Sequence, residues 1–174
     1  MAIYSFEGHE PAIDPSSFVH PEATLIGAVF VGPGCIILAG ARLRADWGEI
    51  HVGPHSNIQE NCVLHLRPGE SVRLGPRSHI GHGAIVHGAL LEEHVTVGMG
   101  AILQDGVRIG PGSLIGAGAV LLPGMEVPGG KLVVGVPARV LRDLTEAEKA
   151  LLHAGTDFYE GLVDRVHSGL KPVL

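Results

Sequence analysis

The side chains best equipped for chemistry in this chain are imidazoles. Histidines number 11, nearly matching the 12 lysines and arginines together. Three of them, His65, His82 and His87, sit where a backbone repeat dictates their spacing. Imidazole nitrogen binds zinc at about 2.0–2.1 Å, and catalytic zinc sites keep three protein ligands and one open position. Two histidines on neighbouring strands lie roughly 4.8 Å apart at the backbone, so their rings can share one metal ion. Whether His65 and His87 are stacked in this way depends on the elements that carry them.

An aliphatic residue recurs every sixth position. Val19, Leu25, Val31, Ile37 and Leu43 form one run, then Val52, Ile58 and Leu64, then Leu74, Ile80 and Val86, then Leu91 through Leu121. Four places after each, wherever the run continues, stands a small or β-branched residue such as Ala23, Cys35, Cys62, Ser78 or Ala101. The rule fails at Trp47, Pro68, Leu90 and Met125, where runs end. Val31, Val52, Leu74 and Ile109 are each followed by Gly-Pro. Proline fixes φ and glycine accepts unusual dihedrals, so these are corners. This is the hexapeptide cadence of a β-helix, in which three six-residue segments close one triangular coil. It predicts an all-β solenoid, a parallel β-helix over residues 19–136, with an N-terminal cap at 1–18 and a C-terminal helical extension at 137–174. A β-sandwich would alternate with period two and turn every 8–12 residues or so, a pattern this chain lacks. Leu132–Pro137 reads as a last strand leaving the solenoid. Thr145 and Glu148 form a capping box, followed by two short helices, about 146–153 and 157–167, parted by Gly155 and Thr156. The terminal segments should cover the open ends that a solenoid otherwise exposes.

The cadence puts Leu64 and Val86 on one face, one coil apart, so His65 and His87 stack. Leu43 occupies that face one coil earlier, which sets Arg44 beneath His65. His82 falls on the preceding face near a corner, and a rigid prism cannot bring it to the pair of its own chain. It could complete the pair of an adjacent subunit in a parallel trimer, a closed ring with three such interfaces. The alternative is an exposed histidine ladder. His9, His20, His51, His55, His79, His94, His153 and His167 fall at solvent-facing repeat positions or in the terminal segments.

Composition narrows the partners. The net charge of -6, with three lysines, lacks the basic footprint of a nucleic-acid binder. The longest uncharged stretch, Ala23 to Ala41, is broken by Gly27, Gly32, Pro33, Gly34 and Gly40, which suits the repeat and not a membrane span. Two cysteines make no disulfide scaffold. The first basic side chain is Arg42, so a charged secretory n-region is not expected. These features point to a soluble cytoplasmic protein acting on a small molecule.

Asn57-Ile-Gln-Glu-Asn-Cys-Val-Leu-His65 and Ile80-Gly-His-Gly-Ala-Ile-Val-His87-Gly resemble the signature of γ-class carbonic anhydrases, extended by Gly98-Met-Gly-Ala101 and Leu103-Gln-Asp-Gly106. His79-Ile-Gly-His-Gly-Ala and the tail Gly155-Thr-Asp-Phe-Tyr159 are similar to the phenylacetate-degradation and carnitine-operon hexapeptide proteins of that family. The resemblance implies a left-handed coil and a homotrimer. It implies zinc, with iron or cobalt as substitutes, held by His65 and His87 of one subunit and His82 of the next. Hydroxide formed at the metal would attack carbon dioxide to give bicarbonate.

In the same resemblance Gln59 matches the residue that orients metal-bound water or substrate, and Asn57 matches a polar pocket residue. Arg44, Asp46 and Glu60 match a charged set at the subunit interface, with an ordinary ion pair the alternative for Arg44 and Glu60. Trp47 stands where active members carry a proton-shuttle glutamate. The loop from Leu66 to Arg73 is short, and Glu70 is its sole acid. The expected carbon dioxide hydration is therefore weak. Tyr159 matches a tyrosine of shortened family members, with helix packing as its alternative role. Competing functions on this scaffold are CoA-thioester hydrolysis, CoA-dependent acyl transfer and a non-catalytic trimer stapled by metal. Acyl transfer usually needs a long loop over the CoA cleft, and no such insertion is visible.

Overall fold

A computed structural model describes residues 2–173. The chain winds as a left-handed parallel β-helix of about seven coils, closed by one C-terminal helix. Each coil contributes one short strand to each of three faces. The first face stacks Thr24–Val31 (its beginning), Arg42–Val52 (its beginning), Val63–His65, Ile85–His87, Ile102–Leu103 and Val120–Leu121. The second stacks Phe18–Val19, Ile36–Ile37, Asn57–Ile58, His79–Ile80, Thr96–Val97, Leu114–Ile115 and Lys131–Gly135. The third carries Ser71–Leu74, Leu90–Leu91, Arg108–Ile109 and Glu126–Val127 above the ends of the two long strands.

The six-residue cadence accounts for the interior. Leu25, Leu43, Leu64, Val86, Leu103 and Leu121 stack in one column and are fully buried. The small residues at the fourth place, Ala23, Cys35, Ala41, Cys62, Ala84 and Ala101 among them, are equally sealed. Only a small side chain fits there, because three walls converge at each corner. Burying each aliphatic contributes about 1.5–3 kcal/mol, so the prism is held by many modest identical terms. At the corners the backbone of one coil rests on the next. A Cβ on Gly53 would fall 2.6 Å from the Gly75 carbonyl carbon, which is why glycine stands there.

Two strands depart from the regular short segment. Thr24–Val31 and Arg42–Val52 run unbroken round a corner, so that Arg42–Val52 pairs with Val63–His65 at one end and Ser71–Leu74 at the other. The ladder to Val63–His65 ends at Leu43–Leu64. Arg44, Asp46 and Trp47 therefore lie on the bend beside His65, and Arg44 pairs in register with Ile26.

The terminal segments differ from the sequence expectation in three ways. Ala2–Tyr4 and Ala12–Ile13, inside the expected cap, each add a strand to the ladder by pairing with Thr24–Val31. The strand Lys131–Gly135 does not leave the solenoid. It stays on the second face and is followed by an antiparallel strand, Ala138–Asp143. The two expected helices are one, Glu146–Gly169. Gly155 costs about 1 kcal/mol in a helix interior, but the neighbouring Thr156 is buried against the prism with its hydroxyl returned to the Leu152 carbonyl. Packing along the second face, with Val163 against Ile36 and Leu38, carries the helix through the break. Arg77 locks it by ion pairs to Asp157 and Glu160. Among the described residues, no helix is long and apolar enough to cross a membrane.

Candidate metal centre

His65 and His87 are brought together as the register requires. They are direct partners across adjacent strands. Nδ1 of His65 lies 3.0 Å from Nε2 of His87. Two nitrogens on a tetrahedral zinc at 2.0–2.1 Å stand roughly 3.3 Å apart, so a cation fits between these rings with a shift of a few tenths of an ångström. Without a cation, the two facing nitrogens can share only a proton.

Each ring is held from its far side by a carboxylate. Asp46 Oδ1 lies 3.1 Å from His65 Nε2, and Asp105 binds His87 Nδ1. Carboxylates in this position fix the tautomer and strengthen the opposite nitrogen as a ligand. Asp46 is also paired with Arg44, whose guanidinium lies over the Trp47 ring at 5.7 Å. Burial works to raise the Asp46 pKa, but hydrogen bonds from His65, its own backbone and Arg44 outweigh it and hold the carboxyl below the usual range. Burial, with Arg44 and His87 adding repulsion, lowers the His65 pKa against the pull of Asp46, so the ring favours its neutral, metal-binding form. Trp47 is half exposed, its ring 5.4 Å from that of His65.

His82 stands apart on the corner after the second face. Its side chain is 48% exposed, and Nδ1 lies 2.6 Å from Glu60 Oε2, so Nε2 is the nitrogen left for a ligand. All three histidines thus carry a carboxylate partner. Among the described residues of one chain, no group of three His, Cys, Asp or Glu side chains converges to hold a metal ion.

The remaining sequence candidates occupy two places. Asn57 and Gln59 are buried. Gln59 Nε2 donates to Asn57 Oδ1 at 3.1 Å, and Gln59 Oε1 accepts from the His82 backbone N–H at 3.2 Å. Tyr159, on the C-terminal helix, packs edge-on against His79 with ring centroids 5.2 Å apart. Burial, then the Glu60 charge, pushes its phenol above the ordinary value. Glu70 curls over Gly88, beside Asp105. Among the described residues, its Oε2 is the buried side-chain oxygen or nitrogen that lacks a hydrogen-bond partner.

Sequence reasoning missed two contributors. Asp105 was quoted within a motif but given no role. It stands one place beyond Gln104, the position in register with His87 on the next coil, and that nearness was its signal. His79 was assigned to a solvent-facing position. The structure places it under the helix, its Nε2 2.8 Å from Gln59 Nε2. His94, likewise assigned to a solvent-facing position, is half-buried and stacks at 4.4 Å on His153, which is exposed on the C-terminal helix as its place in the tail implied.

Comparison with known proteins follows this geometry. The family profile described as Bacterial transferase hexapeptide (six repeats) matches residues 88–123. The carnitine operon protein CaiE of Salmonella typhimurium is 40% identical over 171 residues, covering 98% of this chain and 86% of its own length. CaiE of Escherichia coli K12 is 39% identical, with 98% and 87% covered. A Bacillus cereus protein, the BC4754 gene product, named provisionally as an acetyltransferase, superposes with a TM-score of 0.94 at 30% identity over 96% of this chain and 97% of its own. A hexapeptide transferase family protein of Anaplasma phagocytophilum gives 0.91 at 34% identity, with 94% and 97% covered.

Proposed function

The chain belongs to the hexapeptide-repeat family that includes the carnitine operon protein CaiE, and from that premise we propose that it is a homotrimeric metalloenzyme that hydrates carbon dioxide to bicarbonate. The observation that carries this reading is the His65/His87 pair, 3.0 Å apart with a carboxylate behind each ring. His65 and His87 of one subunit and His82 of its neighbour would hold the ion. Held there, a zinc ion would supply hydroxide at neutral pH, since coordination to zinc brings water's pKa down to about 7.

The chain's own residues do the rest. Asp46, Asp105 and Glu60 keep the three imidazoles in the ligand tautomer. Arg44 holds Asp46 against rotation. On the first face Val63 and Ile85 are partly exposed beside the histidines, and an apolar ladder there suits burial against a second copy and the exclusion of bulk water. Trp47 offers no titratable group where related enzymes are expected to carry a glutamate, and a tyrosine held above its ordinary pKa exchanges protons poorly near neutral pH. Proton removal therefore limits turnover, and buffer accelerates it.

Acyl transfer or thioester hydrolysis with CoA substrates is the second reading. It is favoured by the two solved structures named as transferases. The departure between His65 and Ser71 is short, which gives CoA little to lie under.

The test is one metal-replete preparation examined by metal analysis, light scattering, stopped-flow hydration and a CoA-thioester screen. The expected result is a trimer with one metal per subunit and buffer-dependent hydration that His82→Ala abolishes. A metal-free monomer, or hydration unchanged in His82→Ala, overturns the assignment. Thioester turnover without hydration selects the second reading.

A further inference from the structure

Behind the candidate metal centre, on the second face, a group of polar side chains is closed off from water. Asn57 and Gln59 are 1% and 2% exposed. His79 lies against them and under the Tyr159 ring, the two rings nearly perpendicular. A buried amide is costly unless its donors and acceptor are met. Gln59 meets all of them. Oε1 accepts from the His82 backbone N–H, and Nε2 faces both Asn57 Oδ1 and His79 Nε2. These contacts fix its orientation. The His82 N–H requires an oxygen, so the Gln59 nitrogen must face His79. His79 must then receive it with the one lone pair of a neutral ring, drawn to Nε2 by the shorter contact, 2.8 Å, over the Asn57 Nδ2 that lies 3.2 Å from Nδ1. Burial, with the His82 charge second, pushes the His79 pKa down to about 4, so the neutral ring required here is the form present near neutral pH.

Resting on the metal reading above, we propose that His79 is a positioning residue: it accepts from Gln59, thereby holds the Gln59 carbonyl oxygen on the His82 backbone N–H, and so lets docking of the C-terminal helix, through Tyr159, set how His82 is presented to the neighbouring subunit. His82 is then fixed twice, at its backbone by Gln59 and at its ring by Glu60. Tyr159 acts through His79 as a lid.

The experiment is amide hydrogen exchange read by NMR at His82, in the full-length protein at pH 7. Wild type, His79→Ala, His79→Gln and Tyr159→Ala are compared, with a cobalt titration on each. His79→Ala should speed exchange at His82 about tenfold by local opening. Tyr159→Ala should give a smaller rise. His79→Gln, which can still offer Gln59 an acceptor oxygen, should recover most of the protection. Gly81 and Gly98, whose N–H groups bond along the ladder to Val97 and Ile115 carbonyls, should stay slow throughout. Unchanged exchange at His82 overturns the proposal. So does acceleration that spreads equally to Gly81 and Gly98, since that marks general loosening. If His79→Ala does not fold, His79→Gln and Tyr159→Ala carry the same comparison. Cobalt affinity should fall roughly tenfold in His79→Ala, the loss expected when a partner that orients a ligand is removed. If the wild type binds no cobalt while the exchange pattern holds, the metal reading fails and the link from His79 to His82 stands.

Discussion

On the first face of the prism, His65 and His87 stand side by side with carboxylates behind them and the outer surface in front. On the second, His79 is backed by two amides and lidded by an aromatic ring. All three flank an inward aliphatic, His65 and His87 one place after it and His79 one place before, so all three side chains leave the core. Their neighbours distinguish them. A carboxylate takes one N–H and leaves the other nitrogen a strong ligand. An amide pair under a lid takes the ring's lone pair and leaves nothing for a metal. The same residue type is a ligand on one wall and a strut on the other.

The largest effect expected from this contrast is a pH dependence of stability that belongs to the face covered by the helix. Burial holds the folded pKa of His79 at about 4, below the ordinary imidazole value of 6.5. Between those values the unfolded chain carries the proton and the folded chain does not. Stability therefore falls as pH drops through this window and is unaffected above it. By pH 5 the loss is on the order of 2 kcal/mol. Urea unfolding at fixed protein concentration should show it for the wild type between pH 7 and 5. His79→Gln should lose much of that slope and keep the part due to His65, which burial shifts in the same direction. An identical slope in both proteins would erase the distinction between the faces.

The open side is probed by Asp105→Asn. The variant keeps the shape of the side chain but removes the charge from His87 Nδ1. Metal affinity, measured by competition with a chelating dye, should fall about 10–100-fold. Arg67, 2.7 Å from Asp105 and largely exposed, loses a surface partner of little energetic weight. If affinity is retained, the carboxylate is no part of the ligand set's support.

The two faces were not equally legible in the sequence. The coil is local: each inward position of the six-residue cadence is checked by its own neighbours, and every aliphatic from Val19 to Leu121 in the runs is buried. The His65/His87 pair follows from that cadence by adding one coil. The same step from His87 reaches Gln104, one place short of Asp105. His79 could not be reached this way, because its environment is decided by where the C-terminal helix lands. That helix was itself obscured by Gly155 and Thr156, which look like a break and are carried through by tertiary packing. Arg44 was read one coil beneath His65, where the register of Leu43 with Leu64 puts it, but the backbone pairing stops one residue short. The strand that holds it runs round a corner and leaves the ladder before reaching His65.

The smallest effect tests whether the faces respond separately. Thr145 caps the C-terminal helix. Its hydroxyl accepts from the Glu148 N–H at 3.2 Å, and the Glu148 carboxylate accepts from the Thr145 N–H at 2.8 Å. Arg142, then the cap's own hydrogen bonds, hold Glu148 at about 2, so the box stays ionised across the pH window above. Thr145→Ala should cost about 1 kcal/mol and lower the Tm by roughly 2–4 °C. Exchange should rise in the first helical turn, around Glu146 to Lys149. Tyr159 lies several turns further on, and the His65/His87 pair belongs to another wall, so metal content per subunit should not change. A loss of metal in Thr145→Ala would mean that fraying of the first helical turn reaches Tyr159 and, through His79 and Gln59, the ligand His82.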